Sequence, residues 1–271
     1  MRRKFEYELF LKIGFMFSFF KKKETAVPSP TYTVSDFSFL GLDMHSHLVP
    51  AIDDGSQSLE DSVQFVKSLY DLGIKNYITT PHIHGEMYDN DTDKVQRFFK
   101  PLKDFLAKEL PDIHIQVSAE YFLDTHFLHH VLPKGLMSFG KNNVLVEASM
   151  AGWNRQFNEI MFAVQANGYN PILAHPERYL YETNMEVYAA LKAKGVLLQM
   201  NLLSILGYYG KSTKINAEKL MQMGLYDFCG TDLHHERHMN HIKNMPQDQQ
   251  ELMWQLSEYG FKNKQLYETI V

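Results

Sequence analysis

Seven short runs of β-forming residues alternate with helical patterns along most of this chain. Because neighbouring parallel strands need a long crossover connection, this alternation predicts an α/β fold with a parallel sheet. Seven or eight such units without a G-x-G-x-x-G turn favour a closed barrel. The predicted strands are Phe39–Met44, Ile74–Thr80, Ile113–Ala119, Val144–Glu147, Pro171–Ala174, Val196–Met200 and Tyr226–Cys229.

Helical periodicity fills most of the intervals between these strands. The first predicted helix covers Leu59–Leu72, with Ser58 as its N-cap and Gly73 just past its end. The other predicted helices are Asp91–Glu109, Thr125–Val131, Asn154–Asn167, Asn184–Lys194, Asn216–Met223 and Pro246–Tyr259.

Composition narrows the class of protein. Of 271 residues, 45% are hydrophobic and 22% charged, which is typical of a globular protein with a sizeable core. The 32 acidic and 27 basic residues give a net charge of −5, so no nucleic-acid partner is expected. A single cysteine, Cys229, cannot form an internal disulfide, which favours the cytoplasm.

Residues 1–35 differ from the rest and are predicted to be a leader and linker, followed by one domain over 36–271. The apolar run Leu9–Phe20 precedes three lysines and is shorter than the roughly 20 residues of a membrane span. It also lacks the small-residue cleavage site of a signal peptide. Two interpretations stay open, a flexible leader or an amphipathic anchor that weakly contacts anionic lipid at the inner face of the membrane.

Histidine and acidic residues recur at the carboxyl ends of six of the seven predicted strands. In a parallel barrel those ends meet on one face, where active sites of this architecture lie. Only the sixth strand, ending at Met200-Asn201, offers neither an imidazole nor a carboxylate there. A buried histidine or a helix cap explains any single case, but not the whole set. The candidate metal ligands are His45, His47, Asp54, His82, Glu120, Glu147, His175, Asp232 and His234.

The spacing of His45 and His47 has a direct geometric reason. Residues i and i+2 of a strand point to the same side, so both imidazoles can bind one ion, and Asp232-Leu233-His234 repeats the pattern. Nine candidate ligands are too many for one tetrahedral ion, which favours two or three ions that share carboxylates. Imidazole and carboxylate ligands without thiolate favour manganese, iron or zinc over a structural zinc site, and manganese is the first expectation.

The order of these motifs resembles that of the PHP (polymerase and histidinol phosphatase) superfamily. Within it, Asp53-Asp54-Gly55, the two glutamates and His175-Pro176-Glu177-Arg178 resemble the bacterial capsule-locus tyrosine phosphatases, over about residues 38–271. The resemblance implies a distorted (β/α)7 TIM-like barrel, the PHP fold. It also implies up to three metal ions and the hydrolysis of phosphotyrosine on proteins.

The resemblance further implies how the ligands divide among the ions. The first ion would be held by His45, His47, Glu120 and Asp232. The second would be held by Glu120, Glu147 and His175, and the third by Asp54, His82 and His234.

Two arginines are candidates for binding the phosphate. Arg178 matches the family's phosphate-binding arginine, and the alternative for it is a surface ion pair with Glu177 or Glu182. Arg237 lies near the place expected for a second arginine, although His234-His235-Glu236-Arg237 departs from the family in spacing.

Other residues near the predicted strand ends have two interpretations each. The histidines at 126, 129 and 130 fit a surface or substrate-rim segment better than a metal site. Tyr208 and Tyr209 could stack on a substrate ring or pack in the core. Cys229 is followed six residues later by His235 instead of arginine, which excludes a cysteine-based tyrosine phosphatase.

Three functions are compatible with this pattern. The first is a metal-dependent phosphatase that acts on phosphotyrosine in proteins. For this function, the family resemblance alone implies a partner, the tail of a bacterial tyrosine kinase of capsule or exopolysaccharide synthesis. The second is a small-molecule phosphoesterase such as histidinol-phosphate phosphatase. The third, a catalytically inactive scaffold barrel, is disfavoured by the complete ligand set. An open mouth favours the first and a deep closed pocket the second, while the sequence leaves the oligomeric state open.

Overall fold

The computed structural model describes residues 34–270, except for the side chains of residues 246–248. The predictions for the leader therefore lie outside the described residues, apart from its last two positions. Among the helices of the described part, none combines the length and apolar character that crossing a membrane requires.

Within residues 34–270, eight short strands form two parallel sheets, which confirms the predicted α/β class. Six strands follow one another in the order β2-β4-β5-β6-β7-β8, and β1 pairs with β3. The strands are β1 (Asn76–Thr79), β2 (His82–Ile83), β3 (His114–Val117), β4 (Glu120–Phe122), β5 (Asn143–Glu147), β6 (Asn170–Ala174), β7 (Leu197–Asn201) and β8 (Phe228–Gly230).

The second and third predicted strands correspond to β1 and β3, and each is followed, just beyond its predicted end, by a further short strand, β2 or β4. β1 and β2 are separated by Thr80 and Pro81, and proline has no N–H with which to continue a ladder. Backbone hydrogen bonds still cross the break, because the N–H of Glu120 donates to the carbonyl of Pro81 at 3.1 Å.

The first predicted strand, Phe39–Met44, forms only one parallel bridge, Asp43 with Tyr77, and the same segment forms a second one, Ser46 with Leu233, just beyond the predicted end. Two residues of this segment accept backbone hydrogen bonds from the neighbouring chain around β1. The carbonyl of Asp43 accepts from the N–H of Ile78, and the carbonyl of Ser46 accepts from the N–H of Thr80. They are three residues apart instead of two, so one extra residue bulges there and reverses the side-chain alternation. This segment can therefore direct apolar side chains before the bulge, and histidines after it, into the same interior.

Helices connect most strands, and side chains mark where the first two begin. Ser58 accepts a hydrogen bond from the N–H of Asp61, and Asp91 accepts one from that of Lys94. The helices are α1 (Leu59–Asp71), α2 (Thr92–Glu109), α3 (Phe157–Ala166), α4 (Glu186–Ala193), α5 (Leu202–Ile205), α6 (Lys211–Gln222), α7 (Glu236–Asp248), α8 (Gln250–Glu258) and α9 (Asn263–Tyr267). The predicted helix at Thr125–Val131 is a π-helical turn over Phe127–Val131.

The C-terminal helix predicted over Pro246–Tyr259 is helical over Gln250–Glu258, but its first residues belong to another helix that was not predicted. The chain instead forms α7, which ends just after Pro246, and then α8. The start of α7 is capped by His235, whose side chain accepts from the N–H of His238. Histidine is not among the usual N-cap residues, which explains why the sequence pattern missed this helix.

Apolar side chains fill the interior below the carboxyl ends of the strands. On β5, Leu145 belongs to this set and Glu147, two residues later on the same side, faces the predicted site. We call this set the interior apolar cluster, and it consists of Leu42, Met44, Ile78, Phe139, Leu145, Ile172, Ala174, Phe228 and Leu266.

Candidate metal centre

The nine predicted ligands converge at the carboxyl ends of the strands. Seven of them line one cavity of about 240 Å³. The other two, His45 and His47, are fully buried and contact Glu120 and Asp232, which line it. The remaining lining residues are Met150, Arg178, Tyr209, His235 and His238.

The first group contains His45, His47, Glu120 and Asp232, whose candidate ligand atoms lie within 4.8 Å of one another. His45 Nε2 is 3.1 Å from Glu120 Oε2 and 3.2 Å from Asp232 Oδ1. The Nε2 atoms of His45 and His47 are 3.3 Å apart. Ligands bound at about 2.0–2.2 Å from one ion lie roughly 3–3.5 Å from each other. The spacing and the donor chemistry of this group therefore fit a divalent cation.

The second group is built around Glu120 and Glu147. The Oε1 atom of Glu120 lies 3.2 Å from His175 Nε2, whereas its Oε2 atom faces His45 and His47, so this carboxylate stands between two groups. Burial and the negative charge of Glu120 raise the pKa of Glu147 well above its usual value. Crowded buried carboxylates of this kind are stabilised by a bound cation.

The third group contains His47, Asp54, His82 and His234. Asp54 Oδ1 lies 3.6 Å from His82 Nε2 and 3.7 Å from His234 Nε2. The Asp54 side chain is 55% exposed, whereas the first group is buried. The structure thus brings together the three predicted sets, with His82 between the second and the third. Their role as metal ligands stays a prediction.

The inner nitrogens of three histidines have fixed partners. Nδ1 of His45 lies 2.9 Å from Gln199 Oε1, that of His47 lies 2.8 Å from Asp53 Oδ2, and that of His234 lies 2.8 Å from the carbonyl of Asp232. Because each partner is an acceptor, Nδ1 carries the proton and Nε2 keeps its lone pair for a cation.

The charges of the first group favour a positive charge among its ligand atoms. Burial alone would lower the pKa of His45, but the carboxylates of Glu120 and Asp232 outweigh it and raise that pKa to about 10. A proton held there competes with a metal ion, which needs the neutral imidazole.

The sixth predicted strand, now β7, contributes two amides that the sequence reasoning missed. Gln199 orients His45, and Asn201 Nδ2 donates to Asp232 Oδ2 at 2.6 Å. The two residues are two positions apart and point to the same side of β7, as the ligand-bearing positions of the other strands do. That spacing was the available signal. Asp232 itself has a left-handed φ of +50°, an uncommon conformation for a non-glycine residue that clusters at functional sites.

Arg178 points into the cavity from a short 3-10 turn after β6. Its Nη1 atom donates to Asp232 Oδ2 at 3.0 Å, and its guanidinium carbon lies 4.4 Å from the centre of the Tyr209 ring. The alternative of a surface ion pair with Glu177 was wrong. Glu177 is buried and accepts hydrogen bonds from the N–H of Asn201 and the hydroxyl of Tyr226.

The structure separates the remaining candidates. Arg237 is exposed in the first turn of α7 and does not line the cavity. His235 and His238, which the sequence reasoning left out, do line it. Tyr209 also lines it, whereas the rim histidines at 126, 129 and 130 do not.

Comparisons with known proteins identify one family and several related tyrosine-protein phosphatases. Residues 41–250 match a family described as capsular polysaccharide synthesis, CpsB/CapC. The tyrosine-protein phosphatase YwqE of Bacillus subtilis is 27% identical over 201 residues, 73% of this chain and 79% of that protein. CpsB of Streptococcus pneumoniae, also called a tyrosine-protein phosphatase, is 25% identical over 200 residues, 71% and 82% of the two chains.

A solved structure extends the likeness to the fold. It comes from the crystal structures of YwqE from Bacillus subtilis and CpsB from Streptococcus pneumoniae, described as metal-dependent tyrosine phosphatases. It superposes with a TM-score of 0.69 at 25% identity, over 85% of this chain and 95% of the other.

Proposed function

This chain belongs to the capsular polysaccharide synthesis family CpsB/CapC, and from that membership we propose that it is a metal-dependent protein-tyrosine phosphatase. The observation that carries the proposal is the convergence of three ligand groups and Arg178 on one cavity. The tyrosine-phosphatase names of its relatives YwqE and CpsB support phosphotyrosine as the substrate group.

For the fold, we propose a distorted (β/α)7 barrel. The consecutive order of β4 to β8 supports it. So do the bridges of Asp43 with Tyr77 and of Ser46 with Leu233, which connect the first segment to β1 on one side and to the chain after β8 on the other.

The nine candidate ligands would hold two or three divalent ions, manganese first and iron or zinc as alternatives. Such ions supply a water molecule of lowered pKa and positive charge that offsets the phosphoryl group. The first group is buried and Asp54 of the third group is 55% exposed, so the proposed ligands extend from the interior to the exposed part of the cavity.

Arg178 is the residue that would bind the phosphate directly. A guanidinium can donate two parallel hydrogen bonds to phosphoryl oxygens. When it turns toward the phosphate, Asn201 continues to hold Asp232 Oδ2, so that this buried oxygen keeps a partner. Tyr209 limits the directions that the guanidinium can take. The tyrosine leaving group has a pKa of about 10 and departs more readily than an aliphatic alkoxide.

Arg237 is proposed as a second, weaker contact with the phosphoprotein. Its neighbour His235 lines the cavity, which places the start of α7 beside the mouth. Its exposure leaves the side chain available to a substrate.

We infer that the physiological substrate is the phosphorylated tail of a bacterial tyrosine kinase of capsule synthesis. The capsule role of the family supports this by analogy. The single cysteine favours work in the cytoplasm. The lysines after Phe20 favour the inner face of the membrane, if the leader contacts anionic lipid.

The test is metal analysis combined with hydrolysis assays. The protein is stripped with a chelator, reloaded with manganese, iron or zinc, and assayed on a phosphotyrosine peptide, a phosphoserine peptide and histidinol phosphate. We expect two or three bound ions per chain and the highest kcat/KM on the phosphotyrosine peptide. His45→Ala should lose both metal and activity.

Two results would overturn the proposal. Full metal content and activity in His45→Ala would show that the assigned centre is wrong. A higher kcat/KM on histidinol phosphate would favour a small-molecule phosphoesterase.

A further inference from the structure

Apolar side chains gather on one side of the cavity mouth. Met150 lines the cavity and is 40% exposed, while Leu180 and Tyr181 are 49% and 37% exposed. Trp153 lies edge-on to Tyr181, with ring centres 6.4 Å apart. We call Met150, Trp153, Leu180 and Tyr181 the apolar ledge.

Hydrogen bonds join the two loops that form the ledge. The Tyr181 hydroxyl donates to the carbonyl of Ser149 at 3.0 Å. The Tyr179 hydroxyl accepts from the N–H of Ala148 and donates to the carbonyl of Ala174, both at 3.0 Å. Trp153 also stacks on Phe157 at 4.5 Å. These contacts hold the half-buried Trp153 and the exposed Tyr181 in place, so this part of the ledge needs no rearrangement to receive a partner.

Charge distinguishes the ledge from another part of the mouth. No charged residue occurs between Glu147 and Arg155 or between Arg178 and Glu182. By contrast, the loop of Tyr88, whose ring stacks on His82 at 5.4 Å, carries Glu86, Asp89 and Asp91. An apolar side chain can bind on the ledge without removing a charge from water, whereas a charged side chain would lose part of its hydration there.

We propose that the apolar ledge binds an apolar side chain adjacent to phosphotyrosine in the substrate protein. The proposal rests on the proposed function. With its phosphate at Arg178, a phosphotyrosine spans the cavity with its ring, so its chain neighbours emerge at the mouth. Met150 belongs to both the cavity and the ledge, so the surface that would receive those neighbours is continuous with the phosphate site.

The experiment compares phosphotyrosine peptides that differ only in a leucine or a serine directly before or after the phosphotyrosine. For the metal-loaded wild-type protein, we expect kcat/KM to be about five- to tenfold higher for one leucine peptide than for its serine partner, mainly through KM. p-Nitrophenyl phosphate has no such neighbour and serves as the reference substrate.

Variants of the ledge test where the preference arises. Tyr181→Ala and Leu180→Ser should reduce the leucine preference at least threefold without changing kcat/KM on p-nitrophenyl phosphate. Tyr181→Phe, which keeps the ring and loses only the hydrogen bond to Ser149, should keep the preference. Met223→Ser, a similarly exposed apolar position at 39% after α6, is the matched control and should change neither value.

The outcomes separate the two proposals. If the wild-type protein hydrolyses no phosphotyrosine peptide, the proposed function fails and the ledge proposal fails with it. Equal rates on leucine and serine peptides would overturn only the ledge proposal. An equal loss on both peptides and p-nitrophenyl phosphate in Tyr181→Ala would assign the ledge a structural role. If Tyr181→Ala lowers the molecular mass measured by light scattering but keeps the leucine preference, the ledge is a contact between two copies of this chain and not a substrate site.

Discussion

The same strands build two opposite environments, the candidate metal centre at their carboxyl ends and the interior apolar cluster below it. On β5, Leu145 and Glu147 are only two residues apart on one side of the strand, yet one packs among apolar side chains and the other faces Glu120 and His175. On β6, Ile172 lies in the apolar cluster and His175 follows directly after the strand.

The difference separates stability from function along each strand. The interior apolar cluster removes nonpolar surface from water, which stabilises the fold. The candidate centre does the opposite, because it buries like charges close together, as the raised pKa of Glu147 indicates. Substitutions in the candidate centre should therefore reduce metal binding and activity, whereas substitutions in the interior apolar cluster should reduce the free energy of unfolding.

The largest effect is expected from Glu120→Gln. This change keeps the shape but removes the charge of the carboxylate that stands between two ligand groups. Phosphotyrosine hydrolysis should fall by about 1,000-fold or more, because the bound ions lose a shared ligand. The measurements are kcat/KM and metal content by elemental analysis.

Glu60→Gln, at an exposed position in the first turn of α1, is the matched control and should keep both values. Full metal content and activity within tenfold of wild type in Glu120→Gln would contradict the assignment of the centre.

Ile172→Ala tests the other side of the comparison. Removing a fully buried side chain from the interior apolar cluster should lower the free energy of unfolding by about 3 kcal/mol, because a cavity replaces packed atoms. Urea unfolding measures this loss. Metal content and kcat should stay within about threefold of wild type. A loss of metal larger than the loss of stability would show that the two levels are not separable.

Gln199→Leu examines the boundary between the two levels. The leucine cannot accept the proton of His45 Nδ1, so the tautomer that leaves Nε2 free is no longer favoured. We expect metal affinity to fall about 10- to 100-fold, with activity recovered at high metal concentration. Gln116→Leu, an exposed strand position on β3, controls for the change of residue type. Unchanged affinity would mean that Gln199 does not orient His45.

The smallest effect is expected from Asp227→Asn, and it concerns stability. Asp227 lies at the amino end of β8. Burial alone would raise the pKa of Asp227, but hydrogen bonds from Lys192 and Lys262 lower it. A carboxylate with a lowered folded pKa stabilises the fold above the unfolded pKa of about 3.9, and this contribution is lost as the pH falls below that value.

The Asp227→Asn variant should therefore be less stable than wild type by about 1–2 kcal/mol at pH 7. The difference should shrink as the pH falls toward 3, with no change in kcat. Urea titrations across this range measure it, and a difference that stays constant with pH would contradict the assignment.

The sequence predicted which of these side chains lie close together because that information is local. A His-x-His pair at a strand end shows on which face of the sheet its side chains lie and how far along the strand they are. In a parallel barrel, the ends of the strands meet, so such side chains come together. The structure accordingly groups His45 and His47 with Glu120 and Asp232.

The missed features depend on distance or on residues with weak signals. The partner of Arg178 is Asp232, 54 residues away, and the pairing depends on strand order. Gln199 and Asn201 share the two-residue spacing of the ligand pairs, but amides are a weaker signal for a metal site than histidines and carboxylates. The bulge between Asp43 and Ser46 appears only in the backbone hydrogen bonds.

The filled interior has a consequence for the order in which products leave. Fully buried side chains such as Met44 and Leu145 fill the interior below the cavity, and the exposed lining residues Asp54 and Met150 mark its opening. For a phosphotyrosine bound through that opening, the phosphorus lies deepest and the protein outermost. If the proposed function holds, the dephosphorylated protein would dissociate before inorganic phosphate, and phosphate would be a product inhibitor that competes with substrate.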